Sequence, residues 1–303
     1  MKIDPLWKQI VTEKVLKTAV RFPSRWLQSP QWARQGSNQL SRIFSKNSDV
    51  QIREIQLAGL SAEEFKPSDE ANQMLIHLHG GSFFFGSMQT HRGFLSHLCA
   101  RTQAQILHVD YPLAPETKFP DALEQLVAFY HHLLGQGFDP KNLFLSGDSS
   151  GANLALALAL RLRDENLPQV AGLVLMSPWL DLTLSGASLR FNQTHDAMLS
   201  IECLAIGTEH YLHEEVDRGD ARVSPLFDDL SGLPPTLVQV GSKEILLDDA
   251  QRFAHRAQGA GVDVSLKIYT GMWHDFMLFH QWFEEGQRAL ADVGQFLHAL
   301  YKD

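Results

Sequence analysis

Cysteine is scarce in this chain. Only 2 occur in 303 residues, Cys99 and Cys203, which is too few for a disulfide framework, and two buried free thiols are expected rather than a bridge. Long apolar runs are missing as well. The longest, around Ala155 to Leu160, falls well short of the ~20 residues that a membrane-spanning helix needs. Met1 to Val20 mixes acids and lysines among its apolar residues. It has no continuous apolar stretch and no small-residue cleavage site, so it does not read as a secretory signal. These absences point to a soluble, cytoplasmic chain. There is no internal repeat and no low-complexity segment, which excludes solenoids and disordered tracts. Positive charge is outnumbered: 26 Lys and Arg against 35 Asp and Glu leave a formal charge of -9. Such a surface repels phosphate backbones, so nucleic acid is not an expected partner. What remains is an ordinary globular composition, 44% hydrophobic and 20% charged, with enough chain for one large core or two smaller ones.

The first forty-odd residues differ from the rest. Trp7, Ile10, Val11, Val15, Leu16 and Val20 recur at helical spacing, and Pro23 and Pro30 interrupt the next stretch of chain. This predicts one or two helices and a loop, either a packing helix or part of a lid. From about residue 50 short apolar strands alternate with helices. Strands are expected at Val50–Leu57, Met74–Leu78, Ala104–Val109, Asn142–Leu145, Leu173–Met176, Thr236–Val240 and Val264–Tyr269. Helices are expected at Phe94–Ala100, Leu123–Leu134, Ala152–Leu162, Ala250–Ala260 and around Leu290–Leu300. The alternation implies an α/β fold with a mostly parallel sheet covered on both faces, whose ligand sits beyond the carboxyl ends of the strands.

The segments just after those strands carry the chemistry. Gly147-Asp148-Ser149-Ser150-Gly151 follows one strand and opens a buried helix, which is the setting G-x-S-x-G needs for Ser149 to be a nucleophile. Small neighbours are required where the nucleophile sits on a strained turn, and the helix N-terminus favours developing negative charge. His79-Gly80-Gly81-Ser82-Phe83 follows another strand. There the N–H groups of Gly80 and Gly81, with that of Ser150, are candidate donors to an oxyanion, and His79 is a candidate support for the loop. His274 follows the last strand and so suits the general base, because the chain order in such sites is Ser, acid, His. The acid is expected after Thr236–Val240. Glu244 stands nearest the strand end; Asp248 is the alternative, although an acid there also suits a helix start. His131, His132 and His255 read as solvated. His77 and His79 alternate on a strand like a metal pair, but no third ligand is evident at a sensible spacing. His210 and His213 lack the H-E-x-x-H text. No metal and no organic cofactor is expected.

Together these segments resemble the hormone-sensitive-lipase-like esterases, over roughly Met74 to Phe276. His79-Gly80-Gly81 is similar to that family's H-G-G-G motif, Gly147–Gly151 to its G-D-S-A-G, and Asp110-Tyr111-Pro112-Leu113-Ala114-Pro115-Glu116 to its D-Y-R-L-A-P-E. Ser177-Pro178-Trp179-Leu180-Asp181 resembles a further family segment. Ser82 replaces the third glycine, Pro112 replaces an arginine that usually makes an ion pair, and Glu244 stands where aspartate is common. The resemblance implies an α/β-hydrolase with an eight-stranded, mostly parallel sheet and a helical cap. The cap would combine residues 1–48 with an insertion at about 183–223 in a catalytic domain spanning 49–303. It implies a serine carboxylesterase for short- to medium-chain acyl esters, a homodimer through a sheet edge, and a substrate pocket for which Phe83, Phe84, Trp179 and Phe276 are candidates, with plain core packing as the alternative for Phe84 and Phe276. Two other readings stay open: a ligand-binding protein that has lost catalysis, against which the presence of His274 counts, and an amidase or peptidase on the same fold.

Overall fold

The computed structural model describes residues 5–18, 29–67 and 71–301; Val20 and Pro23 lie outside them. One sheet of eight strands forms the centre. Its strands are β1 (Gln51–Leu57), β2 (Leu60–Lys66), β3 (Met74–Leu78), β4 (Gln105–Val109), β5 (Leu143–Asp148), β6 (Gly172–Met176), β7 (Thr236–Gly241) and β8 (Val264–Tyr269), in the order β1-β2-β4-β3-β5-β6-β7-β8. The pairs β1–β2 and β2–β4 are antiparallel and every other pair is parallel. Every residue of β3, β5, β6 and β7 is buried, which explains why these strands read as near-continuous apolar runs instead of alternating.

The helices are α1 (Pro5–Leu16), α2 (Pro30–Ser41), α3 (Met88–Thr102), α4 (Asp121–Gly135), α5 (Ser149–Asp164), α6 (Ser188–Phe191), α7 (Ile201–Tyr211), α8 (Leu247–Gly259) and α9 (Glu284–Leu300). Helices α3 and α9 cover one face, placing Phe94, Leu98, Leu290, Val293 and Leu297 in a core with Leu75, Phe144 and Val174. Helices α4, α5 and α8 cover the other, where Leu126, Leu156 and Phe253 meet Ile76, Leu145 and Leu175.

Strand β2 escaped the pattern in the sequence. Its centre is Glu63-Glu64, two consecutive carboxylates that are both buried, so no apolar alternation marks it. The fold tolerates them by pairing: Arg92 of α3 binds Glu63, and Arg53 of β1 binds Glu64. Buried charges survive only when paired in this way.

The amino-terminal helices also differ from a simple packing reading. In α1 the expected apolar stripe faces outward, with Trp7 65% and Val15 56% exposed, and Leu16 is buried. The helix is tied down by polar contacts to two loops instead: Gln9 donates to the Gly271 carbonyl at 2.8 Å, and Lys243 pairs with Glu13 at 2.6 Å. In α2, Arg34 donates to the carbonyls of Phe84 (2.9 Å) and Ala114 (2.8 Å) and pairs with Glu116 at 2.6 Å. An arginine of α2 thus supplies the cationic partner of Glu116 in the loop after β4.

Replacing Arg92 by Ala strands the Glu63 carboxylate. The expected cost is about 3 kcal/mol near neutral pH, read by urea melts. Burial already raises the Glu63 pKa against the opposing pull of Arg92. A carboxyl whose pKa is higher folded than unfolded favours the fold below its unfolded pKa and loses that contribution as pH rises. The variant's deficit should therefore be smaller at pH 5 than at pH 8.

Candidate active site

Ser149 stands where β5 runs directly into α5, at φ 51°, a left-handed backbone that non-glycine residues adopt only under constraint. The constraint is close packing. A Cβ at Gly151 would collide with the Leu78 carbonyl at the end of β3, so only glycine lets the helix start lie against that strand. The turn aims the Ser149 hydroxyl at the loop after β8. There His274 Nε2 lies 3.0 Å from Ser149 Oγ, and His274 Nδ1 lies 3.1 Å from Glu244 Oε2. The other oxygen of Glu244 accepts from Gly241 N at 2.5 Å and from Ser177 Oγ at 2.7 Å. Asp248, the alternative acid, accepts from Ser188 N at 3.1 Å in another quarter. Burial pushes the Glu244 carboxyl up to about 7, against the pull of His274. Burial alone would lower the His274 pKa, but Asp275 and Glu244 together hold it well above 6.5.

The glycine loop departs from expectation at one position. Gly80 N–H donates to Asp148 Oδ2 at 3.0 Å. A donor already committed to a carboxylate cannot also serve an oxyanion, so Gly80 is withdrawn from the expected set. The N–H groups of Gly81 and Ser82 carry no such bond among the described residues. Gly81 has φ 125° and Ser82 φ 50°, and Phe83 N donates to Ser150 Oγ at 3.1 Å, so the loop is folded tightly against the nucleophile turn. His79 Nδ1 donates to the Gly80 carbonyl at 2.7 Å. Burial and the neighbouring His91 lower its pKa to about 3, which keeps it neutral.

Asp148 was only a spacer in the motif, yet it organises the site. His77 Nε2 and His91 Nε2 each lie 3.2 Å from its two oxygens. Burial would raise its pKa, but His91 and His77 hold the carboxyl ionised, well below its usual range. These ligating atoms of His77, His91 and Asp148 all fall within 4.8 Å of one another. Spacing in sequence did not reveal His91 and Asp148 as companions of His77, because they sit on three different elements; here the atoms satisfy one another as hydrogen-bond partners. Asp196, Ser177 and Asp275 also went unread. Asp196 accepts from the backbone N–H of Ile245 (3.0 Å) and His274 (3.4 Å), tying together the loops that carry the acid and the base.

The four aromatic candidates are all fully buried. Phe83 stacks on Tyr211 of α7, with ring centres 3.9 Å apart, and packs on Trp179 at 5.4 Å. Phe84 lies 4.9 Å from the His210 ring. Of the two readings open for Phe276, core packing fits its surroundings: it packs on Tyr269 at 4.7 Å in the core on the α3–α9 face, not in the core that holds Phe83 and Trp179. His131, His213 and His255 are exposed and His132 partly so, away from this cluster.

Sheet, strained serine turn and relayed histidine define an α/β-hydrolase. The model of a family with the α/β-hydrolase fold matches residues 75–278. A protein called esterase from Acinetobacter venetianus is 54% identical over the full length of both chains. An acetyl-hydrolase from Streptomyces hygroscopicus is 40% identical, covering 78% of this chain and 79% of its own. Among solved structures, an esterase of the bacterial hormone-sensitive lipase family superposes with a TM-score of 0.92 at 34% identity over 99% of each chain. EstE5, soaked with p-nitrophenyl butyrate, gives 0.91 at 34% identity over 97% of this chain and 98% of its own. The chain belongs to the hormone-sensitive-lipase-like esterases.

Exchanging Glu244 for Ala should lower kcat on the order of 10⁴-fold, by analogy with removal of the acid from other triads. Exchanging Asp248 for Ala should change it only a few-fold. Steady-state rates of the two variants, side by side, check this.

Proposed function

We propose that this serine carboxylesterase hydrolyses short- to medium-chain acyl esters through an acyl-enzyme on Ser149. The observation that carries the residue roles is the row Ser149 Oγ, His274 and Glu244, linked at 3.0 and 3.1 Å. His274 takes the Ser149 proton as the oxygen attacks the ester carbonyl, and Glu244 holds the imidazole by Nδ1 and stabilises its protonated form. The N–H groups of Gly81, Ser82 and Ser150 receive the oxyanion; each such donor contributes ~2.7–4 kcal/mol to the transition state. His274 then gives its proton to the leaving alcohol, and water repeats the sequence on the acyl-enzyme.

Short acyl groups are supported by the names of the relatives: one is an acetyl-hydrolase, and EstE5 was soaked with a butyrate ester. We assign the cap to residues 1–48 and about 183–223. In support, α7 presses Gly207 against Ser82 and Tyr211 against Phe83, so the acyl pocket would form between α7 and the glycine loop, lined by Phe83 and Trp179. Helix α1 reaches the loops carrying His274 and Glu244. The two cysteines are buried and free, which favours a reducing compartment, the cytoplasm. No helix of the described residues is long and apolar enough to cross a membrane. Strand β8 is one of the two sheet edges, with Ile268 44% exposed, and is our candidate edge for pairing with a second copy.

The test is turnover of p-nitrophenyl butyrate by the parent and by Ser149→Ala near neutral pH. The expected result is activity in the parent and a loss on the order of 10⁶-fold in the variant, as removing a serine nucleophile costs elsewhere. Activity surviving in the variant would remove Ser149 from the mechanism.

A further inference from the structure

The triad histidine touches a second carboxylate. Asp275 Oδ2 lies 3.2 Å from His274 Nε2, the same nitrogen that lies 3.0 Å from Ser149 Oγ. The residue is held there with some strain: its backbone sits at φ 51°, ψ 35°, a conformation that aspartate and asparagine tolerate better than other side-chain-bearing residues. Its N–H donates to Ser177 Oγ at 3.2 Å. The side chain is buried, and Oδ1 has no hydrogen-bond partner among the described residues. A triad needs a carboxylate at Nδ1, and Glu244 supplies it. Nothing in that scheme calls for a carboxylate at Nε2, where the lone pair must be open to receive the serine proton.

We propose that Asp275 is a positioning residue that competes with Ser149 for His274 Nε2 and thereby sets the pH at which the enzyme becomes active. In the resting site one proton lies between Asp275 Oδ2 and His274 Nε2, and while it is there Nε2 cannot act as a base. Loss of that proton to solvent frees the lone pair; Ser149 then donates its hydroxyl to Nε2 and passes the proton over as it attacks. The imidazolium so formed again faces Asp275, which favours it electrostatically. The same carboxylate therefore delays activation at low pH and supports the charge that develops during reaction.

Other ionisable groups around the pair act in known directions. On His274, Glu244 from the turn after β7 favours the proton, and Asp196 accepts from its backbone N–H at 3.4 Å. The Cys203 thiol of α7 faces His274 as well, but burial raises its pKa and keeps it neutral. On Asp275, burial opposes ionisation most strongly and raises the pKa, with Asp148 at the end of β5 acting in the same direction, whereas His274 and then His91 of α3 favour the carboxylate. An opposite charge in contact with a titrating group shifts its pKa by roughly one to three units. The sign is that Asp275 raises the His274 pKa, so its loss moves the onset of activity to lower pH.

The proposal rests on the esterase reading for its activity readout and has a second readout that does not. The first is kcat/KM for p-nitrophenyl butyrate from pH 5 to 9 in the parent, Asp275→Asn and Asp275→Gly. Asparagine keeps the size and suits the backbone, and glycine removes the side chain where a left-handed φ is free of strain, so one of the two should fold if the other does not. The second is the titration of the His274 ring followed by carbon-13 NMR on histidine-labelled protein, with the signal identified by its loss in His274→Gln. We expect the acidic limb of kcat/KM to move down by at least about one pH unit in both variants, a gain relative to plateau of nearly twofold at the old midpoint that approaches roughly tenfold well below it, and the ring titration to move with it. An acidic limb and ring titration that coincide with the parent's in a folded variant would overturn the proposal. A parent with no turnover would instead count against the esterase reading, and the ring titration would still decide the role of Asp275.

Discussion

The buried carboxylate of Asp148 holds the catalytic end of the sheet together. It accepts hydrogen bonds from His77 on β3, His91 on α3 and the N–H of Gly80 on the glycine loop, and it directly precedes Ser149 in the chain. A charge in that position requires partners on every side. Satisfying them fixes the distance between the nucleophile turn and the loop that faces the oxyanion. His91 and Asp148 each push the other toward its charged form, while His77, His79 and His108 are driven neutral by burial. The cluster thus favours charge on His91 and Asp148 and neutrality on the other imidazoles.

A second carboxylate cluster organises the other half of the site. Glu244, Asp196 and Asp275 approach His274 from three segments: the turn after β7, the stretch before α7 and the residue next to the histidine itself. Glu244 has three hydrogen-bond partners through its two oxygens, whereas one oxygen of Asp275 has none among the described residues. That asymmetry separates a group built into the scaffold from one free to respond to the protonation of its neighbour. Around both clusters the supports come from far away in sequence. Arg34 reaches the Ala114 and Phe84 carbonyls from α2, and Lys243 reaches Glu13 of α1, so the amino-terminal helices take part in holding the catalytic loops.

Much of this was legible in the text of the chain, for identifiable reasons. Buried parallel strands leave apolar runs, and a nucleophile on a strained turn demands small residues beside it, so Ser149, Gly147 and Gly151 stood out. His274 followed from chain order and from its place after the last strand, and Glu244 from its place after β7. These are local constraints: each acts on residues a few positions apart and leaves a contiguous signature. The parallel sheet, the serine turn and the order of the triad were therefore determined by the sequence alone.

The remainder was decided by tertiary structure, because it depends on pairings between distant segments. Two adjacent glutamates hid β2, since partners that include Arg53, Arg92 and Gln105 make that strand buriable. Gly80 resembled an oxyanion donor until Asp148 came within 3.0 Å of its N–H. The stripe on α1 had the spacing of a packing face, yet most of it points outward, because hydrogen bonds and an ion pair orient that helix. Phe276 could be read as a pocket residue or as core, and it packs in the core on the α3–α9 face. Asp275 was visible beside His274 in the text, but that its carboxylate turns back onto Nε2 follows from a left-handed backbone at one residue. Sequence periodicity carries no information on that dihedral, nor on which distant donor a buried acid will meet.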